Sequence, residues 1–197
     1  MISFVYFDLG GVVDLDFSGT NKWEKLKSTL GVKPEQNEEF DKWFDEKEKL
    51  LCEGKEKFDL HFGDIKLTLN DFVSRFEVNP SIWPVIDRIR RHCRAGLLTN
   101  MYPGMFTAIK KSGILPNISW DINIDSSVVG LQKPDPEIFK LAEERADVKG
   151  DQILFVENTP GHVKIAQTFS WQTFLYDPSH PESSSRNLLA FFSKISI

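Results

Sequence analysis

Three apolar runs end in polar residues of complementary chemistry, and a loop adds a fourth such stretch. Asp8 follows Phe4 to Phe7, Thr99 and Asn100 follow Gly96 to Leu98, and Glu157 with Asn158 follows Ile153 to Val156. Lys133 opens the loop before a helix start at Asp135 and Pro136. Together they supply a carboxylate nucleophile, a hydroxyl and an amide, a cation and a second carboxylate. That inventory suits phosphoryl chemistry. A nucleophile attacking anionic phosphorus needs its charge neutralised, which a lysine and a hard divalent cation on carboxylate oxygens can do.

These residues act together only if the elements before them lie in one sheet. Ile2 to Leu9 is a nearly continuous apolar run stopped by Gly10 and Gly11, as expected of a strand buried on both faces of a parallel sheet. After Pro80 the pattern alternates: a helix through Ile86 and Ile89, a strand from Gly96 to Asn100, a helix around Phe106 and Ile109, and a strand from Trp120 to Ile124. A helix capped by Asp135 carries Ile138, Leu141, Ala142 and Arg145, followed by the Ile153 to Val156 strand. Val163, Ala166 and Phe169 make a further helical stripe, Thr173 to Tyr176 a last strand, and a polar loop near residue 180 leads to a short final helix. Such alternation predicts an α/β fold with a parallel sheet flanked by helices, whose ligands bind beyond the strands' carboxyl ends.

Residues 18–79 read differently. Trp23, Leu26 and Leu30, then Phe40, Trp43, Phe44 and Leu51, then Leu69, Phe72, Val73 and Phe76 recur at helical spacing among many charges. They predict an all-helical insertion over the first strand's exit, giving a core of residues 1–17 and 80–197 and a cap of 18–79. The aromatic set Trp23, Phe40, Trp43, Phe44 and Phe72 is expected to form the cap's own core.

A net charge of -5 is spread along the chain with no basic stripe, which argues against nucleic acid as a partner. No stretch approaches the roughly 18 apolar residues of a membrane span, so a soluble, cytoplasmic protein with no membrane partner is expected. Cys52 and Cys93 lie outside any CxxC or Cys/His cluster and signal neither a disulfide framework nor a zinc site.

The same residues resemble the haloacid dehalogenase (HAD) superfamily motif by motif. FDLGGVV is similar to the first motif, which implies that Asp8 forms an aspartyl-phosphate; LLTN is similar to the second, implying Thr99 and Asn100 on the phosphate oxygens. The most specific match is SSVVGLQKPDPEIF at 126–139, similar to the third motif, which assigns Lys133 to phosphate and nucleophile. FVENTPGHVKIA resembles the fourth. The resemblance implies a Rossmann-like core with a small cap, Asp8, Thr99 and Lys133 as catalytic residues, and magnesium held by Asp8, the Gly10 carbonyl, Glu157 and Asn158. It further implies a small phosphorylated metabolite, a sugar phosphate or nucleotide, as the partner of a monomer or homodimer.

The chain departs from the family pattern twice. Family phosphatases commonly carry an acid two positions after the nucleophile, where Gly10 stands, and paired aspartates where Glu157 and Asn158 stand. Asparagine drops a charge and should weaken magnesium attraction. Asp14 and Asp16 could replace the missing acid, but their position favours solvated residues at the cap's entrance. His162, at a helix start, Met101 and Tyr102 after Thr99, and Cys52, Glu53 and Gly54 in the cap are weaker candidates. Three readings follow: a magnesium-dependent phosphatase, a 2-haloacid dehalogenase using the same aspartate on carbon without metal, and a weakened binding or regulatory protein.

Overall fold

Every residue of the first strand is buried, because neighbouring strands flank it and helices cover both faces. In the computed structural model, which describes residues 1–196, the strands are β1 (Phe4–Phe7), β2 (Asp14–Leu15), β3 (Asp59–Phe62), β4 (Ile65–Thr68) and β5 (Glu77–Val78). They continue as β6 (Arg94–Thr99), β7 (Ile122–Asp125), β8 (Ile153–Glu157) and β9 (Gln172–Leu175). The main sheet is parallel throughout, in the order β7-β6-β1-β8-β9. This arrangement is the parallel α/β sheet that the alternation implies. β6, β1 and β8 are its three central strands, so their carboxyl ends sit side by side.

The helices are α1 (Lys22–Leu30), α2 (Asn37–Cys52), α3 (Leu69–Val73), α4 (Trp83–Ile89) and α5 (Met105–Lys111). α6 (Ser126–Val129), α7 (Pro136–Ala146), α8 (Pro160–Thr168) and α9 (Pro181–Ile195) follow. Alternate residues of β1 feed two clusters. Phe4 and Tyr6 pack with Ile138, Phe139 and Ala142 of α7 and Ala166 of α8, while Val5 and Phe7 join Ile86 and Ile89 of α4 and Leu188 and Phe192 of α9. Each fully buried large apolar side chain contributes about 1.5–3 kcal/mol. The second cluster continues without a break into Leu26, Phe40, Phe44 and Phe72 of the inserted segment. That continuity seats the segment on the rim where the site residues emerge.

The segment is not all helical. β3 and β4 form an antiparallel hairpin pairing Phe62 with Ile65, turned through Gly63 at φ 56° and Asp64. Leu60 and Leu67 point inward while their neighbours face out, a period of two that helical spacing cannot satisfy. β2 and β5 add a short ribbon that ties the two ends of the segment together. The final helix is also longer than expected. It absorbs the polar PESSSR run, because Pro181 starts it and Leu188 and Phe192 give it a buried stripe. Strand limits elsewhere differ by one or two residues, as at β7 and β9, within the spread usual for element ends.

Candidate active site

Asp8 is the first residue after β1, Thr99 the last of β6, Asn100 the next, and Glu157 the last of β8. Lys133 lies in the loop between α6 and α7. Its ammonium bridges two of the others, 2.9 Å from Asp8 Oδ1 and 2.6 Å from Glu157 Oε2. The three side chains are almost wholly withdrawn from solvent. Residues separated by up to 149 positions thus meet at a single sheet edge.

Two carboxylates share one ammonium, so their environments decide which holds the negative charge. Glu157 accepts from the backbone N–H groups of Asn158 and Thr159 through Oε1, and from Lys133 through Oε2, with His162 Nδ1 3.2 Å from Oε2. Burial pushes its carboxyl up, but Lys133 and His162 outweigh this and hold it below the ordinary range. Among the described residues Asp8 accepts only from the N–H of Leu9 and from Lys133, both on Oδ1. Burial and the adjacent Glu157 charge therefore raise Asp8 to about 7, against the pull of Lys133. Desolvation acts to lower Lys133, yet the two carboxylates keep it above its usual value, so it stays an ammonium. Among the described residues Asp8 Oδ2 accepts from no hydrogen-bond donor, and it is the oxygen available for chemistry.

The side chain of Asn100 has another task. Its oxygen accepts from the Lys133 N–H and its amide donates to the Lys133 carbonyl, both at 2.8 Å. It thereby locks the lysine's backbone beside β6. Thr99 is buried, lines the cavity and has only a long 3.5 Å contact from its hydroxyl to the Asn100 carbonyl.

The edge opens into a cavity of about 790 Å³ between the sheet and the inserted segment, lined by Asp8, Gly10, Thr99, Lys133 and Asn158 at its floor. Trp23, Phe44 and Phe72 of the segment wall it, alongside Asp45, Glu48, Lys49 and Glu53. The aromatic side chains thus serve as both segment core and cavity wall. Tyr102 donates to Glu48 Oε1 at 2.6 Å, joining the loop after β6 to α2. Burial raises Glu48 above the usual carboxylate range. Gln132 donates to Glu53 at 3.3 Å, and Gly54, at φ +67°, passes so close to the Ser127 carbonyl that a Cβ would stand 2.1 Å from it. Cys52 lines the cavity, but burial pushes its thiol far up, so it is no nucleophile there.

Asp14 is not solvated, whereas Asp16 is half-buried at the cavity. Asp14 is fully buried and neither of its oxygens has a hydrogen-bond partner among the described residues. Burial, then Asp16 and Asp8, raise it well above the ordinary carboxylate range. Asp16 lines the cavity and its Oδ1 accepts from the Ser18 N–H at 2.8 Å. Burial raises its carboxyl as well. Glu48 is a residue of the cavity that the sequence did not single out, and His162, a weaker candidate there, stands against Glu157. The long-range contacts that implicate them have no local signature.

The residues whose oxygens could hold a divalent cation are Asp8 through its carboxylate, Gly10 through its carbonyl and Asn158 through its side chain, all lining the cavity. They are hard oxygen donors, which suits magnesium; such an ion needs only one or two protein carboxylates and keeps water or substrate phosphate in its remaining positions. Among the described residues no group of three or more His, Cys, Asp or Glu is arranged to hold a metal. Glu157, with both oxygens engaged, supports the lysine. Gly11, at φ +74°, leaves room for Asn158, whose amide nitrogen would stand 2.3 Å from a Cβ there.

No helix of the described residues is long and apolar enough to cross a membrane. The protein is 27% identical over 111 residues to mouse acyl-CoA dehydrogenase family member 10, a match covering 55% of this chain and 10% of that protein. Among solved structures it resembles a predicted HAD-like family hydrolase from Porphyromonas gingivalis, with TM-score 0.72, 21% identity, and 95% and 98% of the two chains covered. It also resembles a HAD family enzyme from Bacteroides thetaiotaomicron, with TM-score 0.73, 17% identity, and coverage of 90% and 94%. That enzyme is known in complex with magnesium and inorganic phosphate. At these identities the structural likeness speaks to the fold alone. Residues 8–168, which hold every site residue described above, match the family of haloacid dehalogenase-like hydrolases, and the chain belongs to that family.

Proposed function

We propose that this hydrolase is a magnesium-dependent phosphatase that removes phosphate from a small phosphorylated metabolite, with Asp8 as nucleophile and residues 18–79 as the cap over the substrate. The observation that carries the reading is the pairing of an aspartate, one oxygen uncommitted, with a buried lysine 2.9 Å away at the floor of a cavity.

Asp8 Oδ2 attacks phosphorus in line and the P–O bond to the leaving group breaks. Lys133, fixed by Asn100 and Glu157, and the Thr99 hydroxyl neutralise the phosphoryl oxygens. Water then attacks the acyl-phosphate and frees Asp8. Magnesium on Asp8, the Gly10 carbonyl and Asn158 would supply further charge neutralisation, and a magnesium and inorganic phosphate complex of the Bacteroides enzyme supports the choice of ion.

A screen of phosphate esters, with and without magnesium, run beside Asp8→Asn, tests the reading. Magnesium-dependent release of phosphate by the parent and none by Asp8→Asn is the expected result. Undiminished turnover by the mutant overturns it, as does chelator-insensitive halide release from 2-haloacids. Metabolite-induced thermal stabilisation with no hydrolysis points to a binding protein instead.

A further inference from the structure

The phosphatase reading leaves one chemical task unassigned. An alkoxide leaving group must receive a proton as its bond to phosphorus breaks, and position 10, two residues past the nucleophile, has no side chain. We propose that Asp16 performs this task, its carboxylate standing in the space that a side chain at position 10 would fill.

A Cβ built on Gly10 would lie 2.5 Å from Asp16 Oδ2 and 3.1 Å from its carboxyl carbon. No other side chain crowds that position, since the three nearest heavy atoms all belong to Asp16. The orientation is fixed locally. Asp16 Oδ1 accepts from the Ser18 N–H, a turn in which an Asx side chain bonds two residues onward, and this directs Oδ2 towards Gly10. β2 holds the stretch in place by pairing Asp14 with Val78 and Leu15 with Glu77. Asp16 and Asp8 line the same cavity, the space into which the leaving group departs.

Several neighbouring acids are less suited. Asp14 does not line the cavity, Glu48 is committed to Tyr102 and Glu53 to Lys55. His162 stands against Glu157. Glycine at position 10 and aspartate at 16 therefore read as one exchange: the carboxylate has moved to a neighbouring turn and the backbone has made room for it.

In the first half-reaction the Asp8 oxygen bonds to phosphorus, the ester P–O bond breaks and the proton on Asp16 passes to the departing oxygen. In the second, Asp16 as carboxylate takes a proton from water. The water oxygen bonds to phosphorus and the bond to Asp8 breaks. Both proton transfers balance, and Asp16 returns to its starting form.

This inference rests on the phosphatase reading, and leaving-group dependence separates the two. A poor leaving group needs the proton, whereas 4-nitrophenolate departs without one. Asp16→Asn is expected to lose kcat/KM on a simple alkyl phosphate about 100-fold more than on 4-nitrophenyl phosphate, within the usual range for general acid catalysis. With the nitrophenyl ester, kcat should fall more than kcat/KM, and a burst of nitrophenolate stoichiometric with enzyme should precede slow turnover, because water lacks its base. The double variant Gly10→Asp/Asp16→Ala, which removes the crowding carboxylate and rebuilds an acid at position 10, should recover much of the alkyl phosphate activity. Equal losses on both esters, or no loss on either while Asp8→Asn is inert, overturn the role of Asp16 and leave the phosphatase reading standing. Hydrolysis that survives Asp8→Asn overturns both. Thermal unfolding of Asp16→Asn near the parent's temperature identifies the loss as chemical; if that variant does not fold, alkyl phosphate hydrolysis by the double variant decides, and its absence overturns the proposal.

Discussion

Lys133 Nζ lies 2.6 Å from Glu157 Oε2, and both side chains are closed off from solvent. The lysine facing the proposed nucleophile is thus anchored to a different carboxylate. Removing the ammonium would leave two buried acids without their shared cation. Lys133→Met is expected to destabilise the fold by about 3–5 kcal/mol, the usual cost of breaking a buried pair, with the smaller value at pH 6, where Asp8 can take up a proton. Urea unfolding at pH 6 and pH 8 measures this. A loss below about 1 kcal/mol at both pH values, typical of an exposed pair, would contradict the arrangement.

Part of this arrangement can be read in the chain alone. β1, β6 and β8 are legible because strands covered on both faces become continuous apolar runs, and each run ends at a residue of the site. The clamp of Asn100 on Lys133 spans 33 positions and has no local signature. A buried, unpartnered Asp14 cannot be told from a solvated one by residue type, because burial depends on what packs over it. The hairpin did leave a signal. DLHF and IKLT alternate around a two-residue Gly63-Asp64 turn, but the dense charges and aromatic residues on either side favour a helical reading.

Glu157 and Asn158 are adjacent in sequence but differ in what they can do for a metal. Both Glu157 oxygens are engaged by protein donors, whereas Asn158 lines the cavity floor. Asn158→Asp would place a second charge beside Asp8, and the magnesium needed for half-maximal activity should fall by roughly tenfold, the scale on which changes at metal sites act. Glu157→Gln should instead lower kcat through a displaced lysine and change the magnesium requirement less than Asn158→Asp does. Magnesium titrations of both variants check this, and the opposite ranking would make Glu157 the metal ligand.

Burial and Glu157 raise Asp8 from its ordinary 3.8 to about 7. Between those values the folded protein holds a proton that the unfolded chain has released. Its contribution to stability is therefore complete below about pH 4 and is lost as pH rises to about 7. Asp8→Asn keeps the shape but not the titration, so its unfolding temperature should gain on the parent's between pH 5 and pH 8 in chelator. A gap independent of pH would place the Asp8 carboxyl near its ordinary value. The parent's kcat/KM at limiting magnesium should fall on the acid side of pH 7 for the same reason, as the nucleophile takes up a proton.

Asp14 isolates the cost of a buried carboxyl with no partner. It is closed to solvent, lacks a donor to either oxygen among the described residues, and faces the fields of Asp16 and Asp8. Its folded carboxyl is raised well above the unfolded value, so this group favours folding most at low pH and progressively less as pH rises. Asp14→Asn removes the ionisation while nearly preserving volume. At pH 8 the variant should be more stable than the parent by about 1–3 kcal/mol, the scale of an unsatisfied buried polar group. Each kcal/mol corresponds to roughly 2–4 °C in a chain of this size. The advantage should shrink towards pH 5 as the parent's carboxyl no longer has to be discharged on folding. Thermal unfolding of both proteins at the two pH values measures it. An Asp14→Asn variant less stable than the parent at pH 8 would mean that the carboxylate is paired in solution and the burial argument fails.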